Sequence, residues 1–494
     1  MSIVLGIDLG TQSVKVVLYD FLARKAVAVE SAPLDIYQTD SGIAEQKAHW
    51  WVSALENALN KVGKNLRRKV VGIGVSGQQH GFVPLNKSGE VLAPVKLWCD
   101  TSTDTECASI MDAFGGFEAC IEEVGNPILP GYTASKVRWF KDANPDAYAQ
   151  MHTILLPHDY MNFYLTGALC MEAGDASGTG FLNIKNRKWS EKMLAAIDPD
   201  RDLLECLPDI RVSNEPIGEL LPSIADKLSL PAGIPVSIGG GDNMMGAVGT
   251  GNISTGSVTM SLGTSGTVYA YTDKPVVDQK GNIAAFCSST GGWLPLLCTM
   301  NCTVTSELMR NLLSADIASF EKQLQAATQG AEGIITVPYF SGERTPNLPD
   351  AKGCIFGLDT QNVCSENIIR SAVEGATFAL RFGLNELAQL GVSANQIVLT
   401  GGGANSEAWR QIVADVCNAP VIVLKNNEGA GFGAALQAVA MVEGSNADLE
   451  SLVNEHLQPD PTLFKEPDST AVDFYEDVYA TYQQCAEKIA ELYS

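Results

Sequence analysis

Apolar residues recur in short runs along the chain, and several of these runs predict β-strands. Ile3 to Asp20 contains two apolar runs around a short polar segment, which predicts a strand, a tight turn and a second strand. Val70 to Gly77 predicts a buried strand that ends in a polar loop, QQHG. Ile234 to Asn243 predicts a strand that enters a glycine loop, and Ser257 to Thr272 predicts a second strand–turn–strand unit.

Helical periodicity alternates with these strands. Apolar residues recur at helical spacing between Glu45 and Arg68, and Ile368 to Leu390 predicts a long helix that ends at a glycine. Gln396 to Asn405 predicts a strand entering a triple-glycine loop, after which the sequence EAWRQIVADVC predicts a helix and Pro420 to Lys425 a strand. Strands that alternate with helices indicate an α/β fold.

Two sequence patterns occur twice, in the same order in each half of the chain. GIDLGTQSVKVVLY resembles MSLGTSGTVYAY, and IGVSGQQHG resembles IVLTGGGAN. An ordered repeat of this kind predicts a duplicated α/β unit, with the seam near Asp242 to Gly251. Asp8 aligns with Ser261, so only the first copy carries an acid beside its Leu-Gly-Thr turn.

Length and charge narrow the class of protein. A chain of 494 residues is too long for one ordinary core and predicts two or more domains. With 33 Lys and Arg against 57 Asp and Glu, the net charge of −24 argues against nucleic acid or an anionic membrane as partner. An anionic substrate must therefore be bound by local groups such as backbone N–H groups, metal ions or a few placed cations.

The sequence gives no clear indication of a signal peptide or a membrane span. The N-terminal sequence MSIVLGIDLG lacks a basic region, so we expect no signal peptide. The uncharged stretch from Asn243 to Thr272 is rich in Gly, Ser and Thr and predicts loops and short strands, not a membrane span. The 12 cysteines are scattered without a CxxC pair, which favours reduced thiols in a cytoplasmic protein.

The first Leu-Gly-Thr turn has the composition of a phosphate-binding loop. Gly10 is expected to give the backbone a conformation closed to other residues, so that N–H groups converge on phosphate oxygens. The Thr11 and Ser13 hydroxyls would add donors and Lys15 a cation. A single carboxylate beside bound phosphates, here Asp8, is a common way to hold Mg2+.

The second turn, Gly263-Thr264-Ser265-Gly266, has the same potential without the acid. Either turn alone is better explained as an ordinary hairpin. The two turns together, only the first of which has an adjacent Asp, favour a pair of loops that hold a polyphosphate.

The loop Gly401-Gly402-Gly403-Ala404-Asn405 carries almost no side chains over its first four residues. A flat ligand such as a purine or a ribose could approach its backbone closely. The spacing matches neither GxGxxG nor a Walker A loop. A simple strand-to-helix turn explains the same residues equally well.

A polar cluster follows the strands of the first half. Gln79 and His80, with Trp98 and Asp100 a little later, supply amide, imidazole, indole and carboxylate groups. Such a set suits a polyhydroxy ligand against an aromatic wall. A lone histidine is more often structural than functional, but two polar clusters in the same half favour a sugar or polyol.

With these residues identified, the chain resembles the FGGY family of carbohydrate kinases, and within it most of all the xylulokinases. The resemblance covers essentially the full length. It is carried by the motifs IDLGTQSVK, GQQHG, LWCD, GYTASKVRWF, LLPHDY, GGGDN, SLGTSG, PYFSGERTP, GCIFGLDTQNVCSENIIRSAVEG and TGGGANSEAWRQ. It implies an α/β fold of two ribonuclease-H-like domains around a central cleft, as in the actin, hexokinase and chaperone superfamily. The implied domains are residues 1–246 and 247–494.

The resemblance also implies a role for each matching residue. Asp242 would be the catalytic base and a sugar contact, and Asp8 would lie near Mg2+. The remaining residues fall into sugar, phosphate and adenosine groups. These are Gln79, His80 and Asp100 for the sugar; Thr11, Lys15, Gly263 and Thr264 for the phosphates; and Gly401, Gly402, Gly403 and Asn405 for the adenosine. The glycine-rich GGGDN segment would let a sugar approach Asp242, which has no paired cation in sequence.

The implied reaction is ATP-dependent phosphorylation of a terminal hydroxyl of a ketopentose, D-xylulose first. Gln79 stands where xylulokinases usually have Met, and Cys99 where they usually have Asn. Sugar selection and neutral drift explain Gln79 equally well, so kinases for ribulose, a deoxyketose, erythritol or glycerol remain alternatives. A non-catalytic ATPase switch of the same superfamily is the alternative outside enzymes. The expected partners are a sugar and ATP, and a homodimer is left open.

Overall fold

The computed structural model describes residues 2–211, 215–426, 428–444 and 448–493. The chain forms two compact units, and each is built from several segments. The first unit comprises Met1–Ser254, Thr272–Leu294 and Glu428–Leu457, and the second comprises Thr255–Tyr271, Pro295–Asn427 and Gln458–Ser494. The predicted boundary between residues 246 and 247 lies within the first of these segments and stays a prediction.

A mixed sheet forms the centre of the first unit. Its strands are β1 (Ile3–Leu9), β2 (Ser13–Asp20), β3 (Lys25–Pro33), β4 (Val70–Gly77), β5 (Gly218–Glu219), β6 (Pro235–Val236) and β7 (Gly240–Gly241). Their order across the sheet is β5-β6-β4-β1-β2-β3, and β7 also pairs with β4. β1 and β4 are buried nearly throughout, as their apolar sequences predict.

A smaller sheet forms the centre of the second unit. Its strands are β8 (Ser257–Leu262), β9 (Gly266–Ala270), β10 (Leu296–Thr299), β11 (Gln396–Thr400) and β12 (Val421–Ile422). Their order is β10-β9-β8-β11-β12.

The two sheets confirm the duplication predicted from the sequence echoes. In the first unit β1 pairs antiparallel with β2 and parallel with β4, while β2 pairs antiparallel with β3 and β4 pairs parallel with β6. β8, β9, β11, β10 and β12 repeat this arrangement with the same strand directions. The register agrees as well, because Asp8 pairs with Ser76 of β4 and Ser261 pairs with Thr400 of β11.

Helices surround both sheets. The α-helices of the first unit are Ala48–Lys61, Lys64–Arg67, Asp104–Phe114, Phe117–Val124, Thr133–Ala143, Pro145–Gln150, Pro157–Thr166, Ala173–Ala176, Glu191–Ile197, Pro222–Leu228, Asp242–Thr250, Gly429–Glu443 and Leu449–His456. Those of the second unit are Thr303–Leu312, Ile317–Ala326, Ser365–Gln389, Glu407–Cys417 and Ser469–Tyr493.

Shorter elements complete the two units. The remaining strands pair in small sheets: Tyr37–Gln38, Ala44–Gln46, Val83–Leu85, Val95–Lys96, Thr153–Leu155, Met171–Glu172, Leu182–Asn183, Lys188–Trp189, Ile210–Arg211, Ile335–Val337 and Cys354–Phe356. Short 3-10 segments lie at Ser177–Thr179, Leu203–Cys206, Gln329–Gly333 and Gly402–Asn405.

Several local predictions need correction. Ile234 to Asn243 is not one strand, because only β6 and β7 pair there and a helix already begins at Asp242. The loop prediction for Asn243 to Thr272 is therefore wrong over its first residues. Glu45 to Arg68 contains a strand end followed by two helices, and Pro420 to Lys425 contributes only the short β12.

The helix Asp242–Thr250 packs against Gly429–Glu443 at a backbone-to-backbone distance that only small residues permit. A Cβ atom on Gly433 would lie 1.7 Å from the carbonyl oxygen of Met245. Glycine in these helices is thus required by packing and does not signal a loop. The first residue of the shorter helix, Asp242, directly follows β7 of the central sheet.

No helix in the described part of the chain has the length and apolar character needed to cross a bilayer. All 12 cysteines are free, and six of them are buried, where they pack as small apolar side chains.

Candidate active site

Three neighbouring parallel strands of the first unit end at the same edge of the sheet. β4 lies between β1 and β7, and Gly240 and Gly241 of β7 pair with Ser76 and Gly77 of β4. Asp8 lies near the end of β1, Gln79 follows β4, and Asp242 follows β7. The carboxyl ends of parallel strands are where α/β proteins bind ligands. The fold therefore brings together predicted site residues that lie far apart in sequence.

Asp242 is the first residue of its helix. Its Oδ1 accepts hydrogen bonds from the Asn243 backbone N–H at 2.8 Å and from Asn243 Nδ2 at 3.1 Å. The residue retains some accessible surface, but protein atoms crowd its carboxyl group. Burial, reinforced by the negative charges of Asp8 and Asp175, raises the pKa of Asp242 to about 7.

The charges around Asp242 contribute to its raised pKa. The charged groups that shift its pKa are both acids, Asp8 and Asp175. Carboxylates that repel one another keep a proton more readily than an isolated acid does. Such a carboxyl group can accept a proton near neutral pH, which is the property a general base requires.

Asp8 is the second acid at this edge. Burial raises the pKa of Asp8, while the nearby Lys15 ammonium and the Ser76 hydroxyl, 3.5 Å from its Oδ1, lower it. Lys15 is paired with Glu428 at 3.5 Å and is about one-third exposed (32%). The cation predicted for the first phosphate loop is thus shared with an acid of the same unit.

The acids of this edge suit Mg2+ held mainly through its substrate. The described residues contain no group of three or more His, Cys, Asp and Glu side chains that could hold a metal ion by themselves. Mg2+ commonly binds through one or two carboxylates plus phosphate oxygens. A buried carboxyl group with a raised pKa, such as that of Asp8, is stabilised in its charged form by a divalent cation, so the donor chemistry fits.

His80 is held tightly by its surroundings. It adopts a left-handed backbone conformation (φ 64°), and its carbonyl oxygen accepts hydrogen bonds from Thr133 Oγ1 at 3.0 Å and Lys136 Nζ at 3.3 Å. Its ring lies edge-on to Tyr132, with centroids 5.1 Å apart, and 5.6 Å from the ring of Phe286. The GYTASK segment, which supplies Thr133 and Lys136, therefore supports the His80 loop.

Gln79 is buried (4% exposed) next to Asp242. Its Oε1 accepts a hydrogen bond of 2.8 Å from Asn243 Nδ2. Its Nε2 has no acceptor at ordinary hydrogen-bond geometry among the described residues, but it lies close enough to Asp175 to lower the pKa of that carboxyl group. Gln79 thus lies between two carboxylates.

Asp100 has a different environment. It is fully buried, and its oxygens accept hydrogen bonds from the Ala44 N–H at 2.8 Å, from Lys96 Nζ at 3.0 Å, and from the Ser102 N–H at 3.0 Å and Oγ at 2.6 Å. These bonds engage both carboxylate oxygens. Its assignment to the sugar stays a prediction, and a sugar hydroxyl would have to compete with these partners.

The first Leu-Gly-Thr turn differs in one respect from its prediction. Gly10 does not adopt a left-handed conformation, and its N–H closes the hairpin on the Ser13 carbonyl at 3.0 Å. The Thr11 hydroxyl donates to Gln78 Oε1 at 3.1 Å and accepts from Trp98 Nε1 at 2.9 Å. The hydroxyl of Thr11 therefore holds the turn against its neighbours.

In the second unit the two predicted loops meet at adjacent strands. The Gly263 carbonyl accepts hydrogen bonds from the N–H and the hydroxyl of Thr303, both at 2.9 Å. Gly401 follows β11 with φ 85°, and a Cβ atom there would lie 2.6 Å from the Leu262 carbonyl group. A side chain at position 401 is excluded by both conformation and space.

The rest of the triple-glycine loop is open on one side and braced on the other. A Cβ atom on Gly402 would meet no atom within 4 Å, so this glycine leaves space for a ligand above the backbone. Arg410 Nη1 donates to the carbonyl groups of Ala404 at 2.8 Å and Asn405 at 3.1 Å. The loop thus combines a rigid 3-10 turn with an exposed backbone surface, which fits the proposed approach of a flat ligand.

Two family models together match most of the chain. Residues 3–249 match the N-terminal domain of the FGGY family of carbohydrate kinases, and residues 258–442 match its C-terminal domain. The chain belongs to the FGGY family of carbohydrate kinases. It is therefore a sugar kinase with the two-domain fold of that family, as the sequence motifs predicted.

Individual FGGY proteins resemble the chain over nearly its whole length. The xylulose kinase of Haemophilus influenzae is 43% identical over 485 residues, which are 97% of this chain and 98% of that protein. The xylulose kinase of Bacillus subtilis is 32% identical and covers 97% of both chains. A crystal structure described as a xyloylose kinase from Brucella ovis superposes with a TM-score of 0.90 at 28% identity, covering 99% of this chain and 100% of that one.

Three residues of this FGGY kinase were missed by the sequence reasoning although they support the site. His158 Nδ1 lies 2.6 Å from Asp175 Oδ2, and both residues are fully buried. Gln437 accepts from the Gly239 N–H at 2.8 Å and donates to its carbonyl at 3.2 Å, so it clamps the start of the GGGDN segment. His158 belongs to the quoted motif LLPHDY, which was a usable signal, whereas nothing in the sequence pairs Gln437 with Gly239.

Proposed function

We propose that this FGGY kinase transfers the terminal phosphoryl group of ATP to the terminal hydroxyl of D-xylulose, forming D-xylulose 5-phosphate and ADP. The observation that carries the proposal is the Asp242 carboxyl group, whose pKa is raised to about 7 at the strand edge that also carries Asp8 and Gln79. The names of the relatives supply the sugar: the Haemophilus influenzae and Bacillus subtilis proteins are xylulose kinases.

In the proposed reaction Asp242 accepts the proton of the sugar hydroxyl. The hydroxyl oxygen forms a bond to the terminal phosphorus of ATP as the bond from that phosphorus to the ADP oxygen breaks. His80 binds and orients the sugar, and the aromatic neighbours of His80 keep its ring in place. Gln79, which the sequence resemblance assigns to the sugar, is buried and hydrogen-bonded to Asn243, next to Asp242. The sequence resemblance assigns Asp100 to sugar binding. Its four hydrogen bonds to protein groups also support a role in holding the segment that contains Trp98.

The nucleotide roles are proposed loop by loop. Mg2+, with Asp8 as its protein partner, would neutralise phosphate charge when bound. The backbone around Thr11 with Lys15 would bind phosphate oxygens, and the Gly263-Thr264 turn would do so from its own unit. The adenosine would lie against the triple-glycine loop. The residues proposed for it are Gly401, Gly402, Gly403 and Asn405.

Two finer points belong to the same proposal. We infer a cytoplasmic location from the free cysteines and from the use of ATP. The sequence left a homodimer open, and sedimentation of the purified protein decides between one copy and two.

An ADP-release assay over a panel of sugars tests the proposal. With Mg-ATP, D-xylulose should stimulate ADP release most, ahead of D-ribulose, a deoxyketose, erythritol and glycerol. A preference for one of the other substrates would replace xylulose in the proposal. ADP release at a constant rate with or without every sugar would instead support the ATPase switch.

Asp242→Asn tests the base directly. The change keeps the size of the side chain but removes its ability to accept a proton, so kcat should fall by about 10²–10⁴-fold. Sugar binding, measured by calorimetry, should largely survive. Asp112→Asn, at an exposed position on the helix Asp104–Phe114, is the matched control and should keep the wild-type rate. A wild-type kcat in Asp242→Asn would remove Asp242 from this role.

A further inference from the structure

The side chain of Gln79 is closely enclosed by its neighbours. It is 4% exposed, and a Cβ atom on Gly241 would lie 2.8 Å from Gln79 Cγ and 3.1 Å from Nε2. The glycine therefore permits an approach that any larger residue at position 241 would prevent.

The direction of the amide follows from the acids around it. Asn243 Nδ2 donates to Asp242 Oδ1 at 3.1 Å, and in the proton-accepting form of Asp242 both carboxylate oxygens only accept, so the nitrogen of Asn243 faces Asp242. The same Nδ2 lies 2.8 Å from the Gln79 amide, which must therefore present its oxygen there. The Gln79 nitrogen then faces Asp175, where a donor is again the favourable group.

This arrangement uses both protons of Asn243 Nδ2. One goes to Gln79 Oε1 and the other to Asp242 Oδ1, which also accepts the Asn243 backbone N–H at 2.8 Å. Loss of the Gln79 oxygen would free one proton and let the Asn243 side chain turn away. Asp242 would then lose the side-chain donor that fixes the plane of its carboxylate.

The opposite end of Gln79 lies beside a buried ion pair. Asp175 is fully buried, and its Oδ2 lies 2.6 Å from His158 Nδ1. His158 is itself 3.1 Å from Asp159 through Nε2. The chain of polar groups thus runs from a rigid pair in the interior, through Gln79 and Asn243, to Asp242.

We propose that Gln79 is a positioning residue that acts through Asn243 to hold the Asp242 carboxylate in the orientation required for proton transfer. This inference rests on the proposed function of Asp242 as general base. It gives the polar residue at position 79 a task that an apolar side chain of equal length could not perform. It also separates Gln79 from a role limited to sugar selection, because that role would not require the link to Asn243.

Gln79→Met tests the proposal, because methionine matches glutamine in length and removes both polar atoms. The variant should lower kcat by about ten- to a hundredfold, since small misplacements of a catalytic group have effects of that size. The KM for the sugar should change by less than about threefold, because the substitution does not weaken the binding of the sugar itself. Gln150→Met, at an exposed position, is the matched control and should match the wild type.

A double-mutant cycle with Asn243→Ala distinguishes this role from direct sugar contact. If Gln79 acts through Asn243, the double variant should be no slower than Asn243→Ala alone. Multiplied losses in kcat, or a Gln79→Met variant with unchanged kcat and a raised KM, would overturn the proposal. If a thermal melt shows that Gln79→Met does not fold, Asn243→Ala provides a second test, because Asn243 is partly exposed and its loss breaks the same link. An unchanged kcat in Asn243→Ala would also overturn the proposal.

A failure of the positioning role can be distinguished from a failure of the proposed kinase function. Wild-type protein that releases no sugar-dependent ADP would contradict the kinase proposal itself. An active wild type, slowed by Asp242→Asn but unaffected by Gln79→Met, would contradict only the positioning role.

Discussion

Asp242 illustrates how a single carboxyl group acquires useful chemistry from its position. It follows a strand of two glycines, begins a helix, and faces two other acids, Asp8 and Asp175. The lack of charged residues in the sequence next to Asp242 was visible around GGGDN. The second acid, Asp175, was not, because it lies 67 residues earlier and reaches the site only through the fold.

The raised pKa of Asp242 predicts a pH dependence of the reaction. Its pKa lies above that of an ordinary carboxyl group, so the proton-accepting form is present above about pH 7 and is lost as the pH falls through that value. We expect kcat/KM for D-xylulose to fall about tenfold per pH unit well below the pKa. Initial rates between pH 5.5 and 8.5, with the coupling enzymes in excess, measure this. A flat profile across this range would contradict the assignment of Asp242 as base.

At the scale of elements, the strands were easier to predict than the helix that carries the base. β1, β4 and β8 are apolar runs that end in polar turns, and their bounds follow the pattern of residues. The helix Asp242–Thr250 contains glycines because it packs closely on Gly429–Glu443, and that partner lies almost 200 residues away. Local composition therefore predicted a loop where long-range packing stabilises a helix.

This helix contact is expected to control both stability and activity. In Gly433→Ala the new methyl group would lie 1.7 Å from the Met245 carbonyl oxygen, so one helix must move. We expect the free energy of unfolding to fall by about 3 kcal/mol, the upper end of ordinary overpacking costs. The kcat should fall with it, because the displaced helix begins at Asp242.

Chemical denaturation and the ADP-release assay check this prediction together. Gly63→Ala is the matched control, because a Cβ atom there would meet nothing within 4 Å and the residue lies outside the site. Equal stability of Gly433→Ala and the wild type would show that the helices tolerate a wider spacing than this packing indicates.

At the scale of the whole molecule, duplication explains why each unit has a similar set of loops. β1, β2, β3, β4 and β6 of the first unit have the same order and directions as β8, β9, β10, β11 and β12 of the second. The copies differ in chemistry, since Asp8 in one corresponds to Ser261 in the other. The sequence echoes predicted this relationship because strand ends and turns are short, local features.

The assignment of chain segments to the two units could not be predicted from such local features. The compact units exchange segments, with 272–294 and 428–457 returning to the first unit, and no local pattern marks such a return. The net charge of −24 is consistent with the use of local N–H groups and a few cations for phosphate. The choice of sugar depends on a few side-chain contacts, and the sequence resemblance proposes Gln79, His80 and Asp100 for them.

The identity of the reaction product tests the central claim most directly. Purified protein, Mg-ATP and D-xylulose should be incubated together and followed by phosphorus NMR. The account predicts that ADP and a phosphomonoester at the terminal carbon of the sugar increase in equal amounts, while inorganic phosphate stays at the level of a sugar-free sample. Formation of ADP with inorganic phosphate alone, or phosphorylation at another carbon of the sugar, would contradict it.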